Sequence, residues 1–139
     1  METIMLEPAL YVLATPIGHL DDISIRAVSV LKNVDWIVAE DTRRANLLLN
    51  HYGIKNRVIT YHDYSNDKQV QYILSCLQNG SVALISDAGT PLIADPGYQL
   101  IKSVLDKNIK VIPIPGVSAM VAAVSVSGLP TDSFIFEGF

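Results

Sequence analysis

"SVALISDAGTPLIADPG", Ser81 to Gly97, decides how the whole chain is read. Its first part, built on the apolar run Val82–Ile85, has the length and unbroken hydrophobicity of a strand covered on both faces. Its second part, Asp87 to Gly97, holds two glycines, two prolines and two aspartates. An open backbone beyond a buried strand is costly, because its amide and carbonyl groups leave the ladder. In a parallel sheet that edge is also where ligands bind. The stretch therefore reads as a strand that delivers a polar loop to a cleft.

The same alternation runs outward in both directions. Leu10–Thr15, Asp35–Glu40, Arg57–Tyr61, Ile109–Ile114 and Ser133–Phe139 are further apolar runs of strand length. Between them lie helical patterns over residues 23–33, 42–53, 65–80, 96–108 and 116–128. Three of these close on "HYG", "QNG" and "DKN", which put Gly or Asn where a left-handed cap is wanted. Ser65, before "NDKQ", is the expected N-cap of the third. Strands alternating with helices through short connections predict an α/β domain whose mainly parallel sheet is flanked by helices.

The chain of 139 residues is long enough for one domain with a core and too short for two. Half of it is apolar and 17% is charged, which excludes a disordered chain. The net charge of -4 supplies no long-range pull toward nucleic acid, although it does not exclude RNA. The single cysteine, Cys76, has no internal disulfide partner and reads as a small buried helix residue, in keeping with a reducing cytosol. Val117–Val126 is too short to cross a hydrocarbon layer of about 30 Å. The first residues lack the basic and apolar regions of an export signal. A cytoplasmic protein with no membrane partner is expected. Because "DSFIFEGF" stops on an aromatic run without a polar tail, residues 1–139 are expected to be the N-terminal domain of a longer protein. The competing reading is a closing strand of this sheet.

Four turns fall at the carboxyl ends of the predicted strands: "TPIGHLDD" (Thr15–Asp22), "EDTRR" (Glu40–Arg44), the Ser86–Gly97 loop and "PIPGVSA" (Pro113–Ala119). Gly89 and Gly116 permit close backbone approach, and Pro16, Pro91 and Pro115 stiffen their loops. The first turn has one glycine where a dinucleotide fingerprint needs three, and no Gly-Lys-Ser/Thr marks a P-loop. His19, His51 and His62 lack metal-ligand spacing, so no metal is expected. Ser86 lacks the glycines of a nucleophile elbow. "AEDTRR" supports two readings. Glu40, Asp41, Arg43 and Arg44 can meet a polar substrate or phosphate oxygens, or Asp41 or Thr42 simply caps a helix with solvated arginines behind it. "YHDYSN" (Tyr61–Asn66) is either a stacking surface for a base or an ordinary polar loop.

Taken in order, "TPIGHLDDISIRA", "VAEDTR", "SDAGTPLIADPG", "IPGVSA" and "GLPTDSFIFEGF" resemble the ribosomal RNA branch of the tetrapyrrole methylase superfamily, the small-subunit ribosomal RNA methyltransferase I type. The likeness covers essentially the whole chain. It implies a two-domain, dimeric enzyme that uses S-adenosylmethionine to methylate the 2′-hydroxyl of a cytidine in 16S ribosomal RNA, with the cofactor held between the domains. By motif, Pro16 meets the cofactor from the first loop. Ala88, Gly89, Thr90 and Ile93 match the loop beside its methionine and ribose portions, and Ser118 and Ala119 match the other cofactor-side turn. Arg43 and Arg44 become substrate contacts. His19, Ala94, Val117 and Ser133 depart from the residues common in that branch.

Sequence does not rank the proton acceptor that a ribose hydroxyl needs; Asp22, Glu40, Asp41 and His62 are the candidates. Two other classes stay open. One is a methylase of the same superfamily acting on a tetrapyrrole or a protein. The other is a non-catalytic module that binds a nucleotide or a partner in the same cleft.

Overall fold

The computed structural model describes residues 4–62 and 66–139. Five strands form one parallel sheet in the order β3-β2-β4-β1-β5. They are β1 (Leu10–Leu13), β2 (Trp36–Ala39), β3 (Val58–Thr60), β4 (Val82–Leu84) and β5 (Val111–Ile114). The intervening helices are α1 (Ile25–Asn33), α2 (Thr42–His51), α3 (Asp67–Leu77), α4 (Tyr98–Asp106) and α5 (Ala119–Val126). A short 3-10 turn, Leu20–Asp22, precedes α1. No helix of the described residues is long and apolar enough to cross a membrane.

The unbroken hydrophobicity of the strands has the expected cause. Successive side chains point to opposite faces, and both faces are covered. Tyr11, Leu13, Ile37, Ala39, Ala83 and Ile85 join one cluster with Ala27, Val30 and Leu31 of α1 and Ala45 and Leu49 of α2. Leu10, Val38, Val82 and Leu84 join the other with Ile73, Leu74 and Leu77 of α3 and Leu100 and Val104 of α4. Each of α1 to α4 presents its buried apolar residues three and four apart, the spacing of one helical stripe. Each fully buried Leu or Ile contributes about 1.5–3 kcal/mol. Pro113 fixes the place of β5. It lies opposite Val12 and has no amide hydrogen to donate, which suits the edge position that β5 occupies.

Caps set the helix starts. The Ser24 hydroxyl accepts from the Ala27 amide at 3.0 Å, and Asp41 accepts from the Arg43 amide at 2.9 Å. The expected Ser65 cap lies outside the described residues; Asn66 caps α3, accepting from the Gln69 amide at 3.0 Å. At the other ends, Gly53 and Asn108 take the left-handed conformation, at φ 63° and 55°. "QNG" works differently. Neither Asn79 nor Gly80 is left-handed. Gly80 is needed because a Cβ there would stand 2.8 Å from both the Cys76 carbonyl oxygen and the Trp36 ring.

Beside it, the Ser81 amide and hydroxyl donate to Asp35 Oδ2 at 2.8 and 3.0 Å, pinning the starts of β2 and β4 together.

Two expectations need correction. Each strand is shorter than its apolar run, because the residues after β1 and β4 leave the ladder to build loops. The sixth strand, Ser133–Phe139, does not form. Its apolar residues lie instead on loop surface, where Phe136 and Phe139 border a cleft. Gly80→Ala will destabilise the fold by about 1–3 kcal/mol through this backbone and ring clash. Urea denaturation reads the change, and an unshifted midpoint contradicts the packing described.

Candidate functional site

Beyond the carboxyl ends of β1, β4 and β5, three loops are stitched into one ledge. The Thr15 amide donates to the Gly89 carbonyl at 3.1 Å, and the Gly89 amide returns to the Thr15 carbonyl at 2.9 Å. The buried Thr15 hydroxyl donates to the Ser86 carbonyl at 3.3 Å. The Thr90 hydroxyl donates to the Val117 carbonyl at 3.0 Å, which ties in the loop after β5. Gly89 sits at φ 75°, and a Cβ there would come within 3.1 Å of Ile17 Cγ2. Gly116 passes so close to Ala14 that a Cβ would meet the Ala14 Cβ at 2.7 Å. Farther along, Leu92 and Ala94 hold left-handed φ values of 73° and 53°, a conformation that costs a residue with a Cβ about 1–2 kcal/mol. Backbone held in this state marks a loop shaped for something other than stability.

Three hollows open around the ledge, and Ile17 borders all of them. The first, of about 390 Å³, lies between the β1 loop and α2 and is lined by Pro16, Leu20, Arg44, Leu47, Leu48 and Asp87 among others. The second, of about 330 Å³, is lined by Ala88, Gly89, Thr90, Ile93, Ala94, Asp95, Ser118, Ala119, Met120, Phe136 and Phe139 besides Ile17. The third, of about 440 Å³, contains Asp22, Gly116, Val117, Ser118, Val121 and Ala122. The first two share a wall made by Ile17 and Ala88.

Six of the seven residues singled out as cofactor contacts, namely Ala88, Gly89, Thr90, Ile93, Ser118 and Ala119, thus line a single cleft, with Pro16 in the adjoining one. The proton-acceptor candidates scatter. Asp22 lines the third hollow. Glu40, Asp41 and His62 line none of the three. Asp41 is engaged in full. Besides capping α2, its carboxylate accepts from Arg43 Nε and Nη2 at 3.3 and 3.2 Å, and these bonds hold it below the usual carboxylate range. Arg43 is correspondingly committed to Asp41. Arg44 instead reaches across to the β4 loop, its Nε 3.8 Å from Asp87 Oδ2. The Tyr52 hydroxyl, at the end of α2, donates to the Leu20 carbonyl and hitches the 3-10 turn bearing Asp22 to that helix.

Sequence reasoning passed over Ile17, Asp87, Asp95, Phe136 and Phe139. Asp95 is the carboxylate of the second cleft; partial burial, reinforced by Asp87, pushes its carboxyl above the usual range. The quoted loop contained it, but the turn at Ala94 that aims it inward has no signature in residue type. Cys76, on the buried face of α3, has a thiol pushed up by burial and lies apart from the ledge. Among the described residues, no group of three or more His, Cys, Asp or Glu converges as a metal site.

The family model for Tetrapyrrole (Corrin/Porphyrin) Methylases matches residues 9–136. A protein named ribosomal RNA small subunit methyltransferase I from Mesorhizobium japonicum is 52% identical over 135 residues, covering 96% of this chain and 46% of the relative. One of the same name from Synechocystis sp. is 52% identical over 131 residues, covering 94% and 47%. The crystal structure of a diphthine synthase superposes with a TM-score of 0.71 at 18% identity, covering 88% of this chain and 49% of that one. That likeness concerns the fold alone. The chain spans about half the length of the curated relatives it matches. With a match running from the first strand through the ledge to the aromatic segment, the chain belongs to the tetrapyrrole methylases.

Proposed function

We propose that the chain is the cofactor-gripping N-terminal domain of an enzyme that methylates the 2′-hydroxyl of a cytidine in small-subunit ribosomal RNA, with S-adenosylmethionine as donor. The observation that carries this reading is the convergence of Ala88, Gly89, Thr90, Ile93, Ser118 and Ala119 on one cleft. Relatives half identical to this chain, and named for that reaction, supply the substrate class. The lining suits the donor. Main-chain groups of the ledge can meet its amino acid and ribose, Asp95 offers a negative charge to a cationic centre, and Ile93, Met120 and Ile17 offer apolar contact. Gly89 keeps the floor free of a Cβ.

Once bound, S-adenosylmethionine supplies a methyl group already activated on a sulfonium. The protein is left with alignment and proton removal. For the first task the ledge is rigid, tied at Thr15–Gly89 and Thr90–Val117. For the second, Asp22 is the best supported of the candidates, because its hollow shares Ile17 and Ser118 with the cofactor cleft. Asp41 is poorly suited, since its lone pairs and charge are spent on Arg43 and the α2 amides. A second half like that of the relatives would complete the pocket and supply basic surface that a chain of net charge -4 lacks. The expected homodimer draws support from α5, which is built of Ala, Val, Met and Ser and buries none of its residues.

The deciding experiment joins this chain to such a C-terminal half, measures S-adenosylmethionine binding by calorimetry, and follows methyl incorporation into small ribosomal subunits lacking the modification. Gly89→Val, which is both left-handed and crowded against Ile17, will weaken cofactor affinity at least tenfold, about 1.4 kcal/mol, while circular dichroism stays native. Retained affinity refutes the proposed cleft. Asp22→Asn will lower kcat by about 10² or more with cofactor affinity held. Asp41→Ala will chiefly lower fold stability, through loss of the α2 cap, and leave kcat little changed. A reversal of those two outcomes removes Asp22 from its role.

A further inference from the structure

We propose that the first cleft, between the β1 loop and α2, seats the target nucleoside after it has swung out of its strand, and that Arg44 grips a phosphate beside it. The proposal rests on the methyltransferase reading above and deepens it. The cleft's volume of about 390 Å³ falls in the range of small-molecule pockets. Its walls are largely aliphatic, with Leu20, Leu47 and Leu48 able to pack against a base and sugar, and its polar groups gather around Arg44 and Asp87. Leu47 is 72% exposed, whereas the next two residues, Leu48 and Leu49, are buried in the core. Leu47 thus lends its apolar surface to the cleft and not to the core, where a base or sugar can lie against it.

Placement supplies the second argument. Methyl transfer needs donor and acceptor within van der Waals contact. The first cleft meets the cofactor cleft across the Ile17–Ala88 wall. A ribose held against that wall presents its hydroxyl toward the neighbouring cleft, and Asp22 follows Leu20 on the same turn. Enzymes acting on one nucleotide of a structured strand take it out of the stack, and RNA is read most readily where bases are splayed.

The two arginines then divide by their bonding. Arg43 spends Nε and Nη2 on Asp41. Arg44 is aimed over the cleft by Asp87, yet at 3.8 Å it makes no hydrogen bond there and keeps its donors. A guanidinium positioned but unspent is the group that takes phosphate in a bidentate way.

The test uses the same full-length enzyme, small ribosomal subunits and S-adenosylmethionine, and varies salt. Arg44→Ala is expected to raise the KM for subunits roughly tenfold or more, as loss of a charged hydrogen bond does, and to lower the salt-dependence slope by about one. Arg44→Lys will restore part of the affinity and most of the slope. Leu47→Trp, at an exposed position that tolerates bulk, will narrow the cleft and also raise KM. Cofactor affinity will stay within about twofold in all three, since neither Arg44 nor Leu47 lines the second cleft. An unchanged KM in Arg44→Ala and Leu47→Trp, or cofactor affinity falling in step with KM, overturns the nucleoside site. A wild-type enzyme that binds S-adenosylmethionine but leaves the subunits unmethylated overturns the RNA reading, and this proposal with it.

Discussion

The reciprocal pair of main-chain hydrogen bonds between Thr15 and Gly89 is the constraint on which the site depends. β1 and β4 are neighbours in the sheet, and their ladder ends at Val12 and Leu84. Past that point nothing in sheet geometry holds the two chains together. The Thr15–Gly89 pair does so after the direction of the β4 loop has reversed, which is why the bridge is antiparallel inside a parallel sheet. The reversal demands a residue at positive φ, and the closeness of Ile17 demands that it lack a Cβ. Once the two loops are tied, Ile17 stands up between them as a ridge, and the clefts on either side follow from its position.

Holding that ridge costs stability elsewhere in the loop. Leu92 and Ala94 adopt conformations that a relaxed turn would assign to glycine. Leu92 stays because its side chain packs on the α4 face of the core, against residues such as Leu84 and Leu100. Ala94 has no such return and is exposed. Its contribution is directional: it turns the chain so that Asp95 borders the cleft. The loop is thus stabilised by the core at one residue and bent toward the ligand side at the next but one. Asp95 consequently lies close enough to Asp87 for the two charges to oppose each other, a cost that a cationic ligand would relieve.

The sheet was legible in the sequence because strands buried on both faces leave an unbroken apolar signal. The helix faces were equally plain in the spacing of Ala27, Val30 and Leu31 or Leu100 and Val104. Strand ends were not, since Thr15 and Ser86 are as compatible with a strand as with a loop, and only the partner across the gap decides. The Ser133–Phe139 segment misled for a related reason. A short apolar run reports that a chain seeks cover, not which element covers it. Within the site, the glycines and prolines showed that a ledge existed, and the family resemblance named the residues on it. Arg43 and Arg44 were indistinguishable as letters. Their difference comes from Asp41, two residues before one of them, and from Asp87, brought to the other only by the pairing of β2 with β4.

That difference bears on how one ledge can serve chemically unlike acceptors. On the proposed cofactor side, Gly89 leaves no room for a Cβ beside Ile17, while Ile93, Asp95 and Met120 add side chains to the ledge. The other side of the Ile17 ridge is formed by side chains of α2, namely Arg44, Leu47 and Leu48. Leu48 is held by the core, whereas Arg44 and Leu47 are exposed and can vary without touching the Thr15–Gly89 tie or the sheet beneath it. On the proposed reading, selectivity for an acceptor rests on the exposed face of α2, while the donor is met by the ledge around Gly89. If two ligands meet across Ile17 as proposed, each is chosen by a different part of the fold, which is the arrangement a methylase scaffold needs if a single donor is to reach acceptors of different shape and charge.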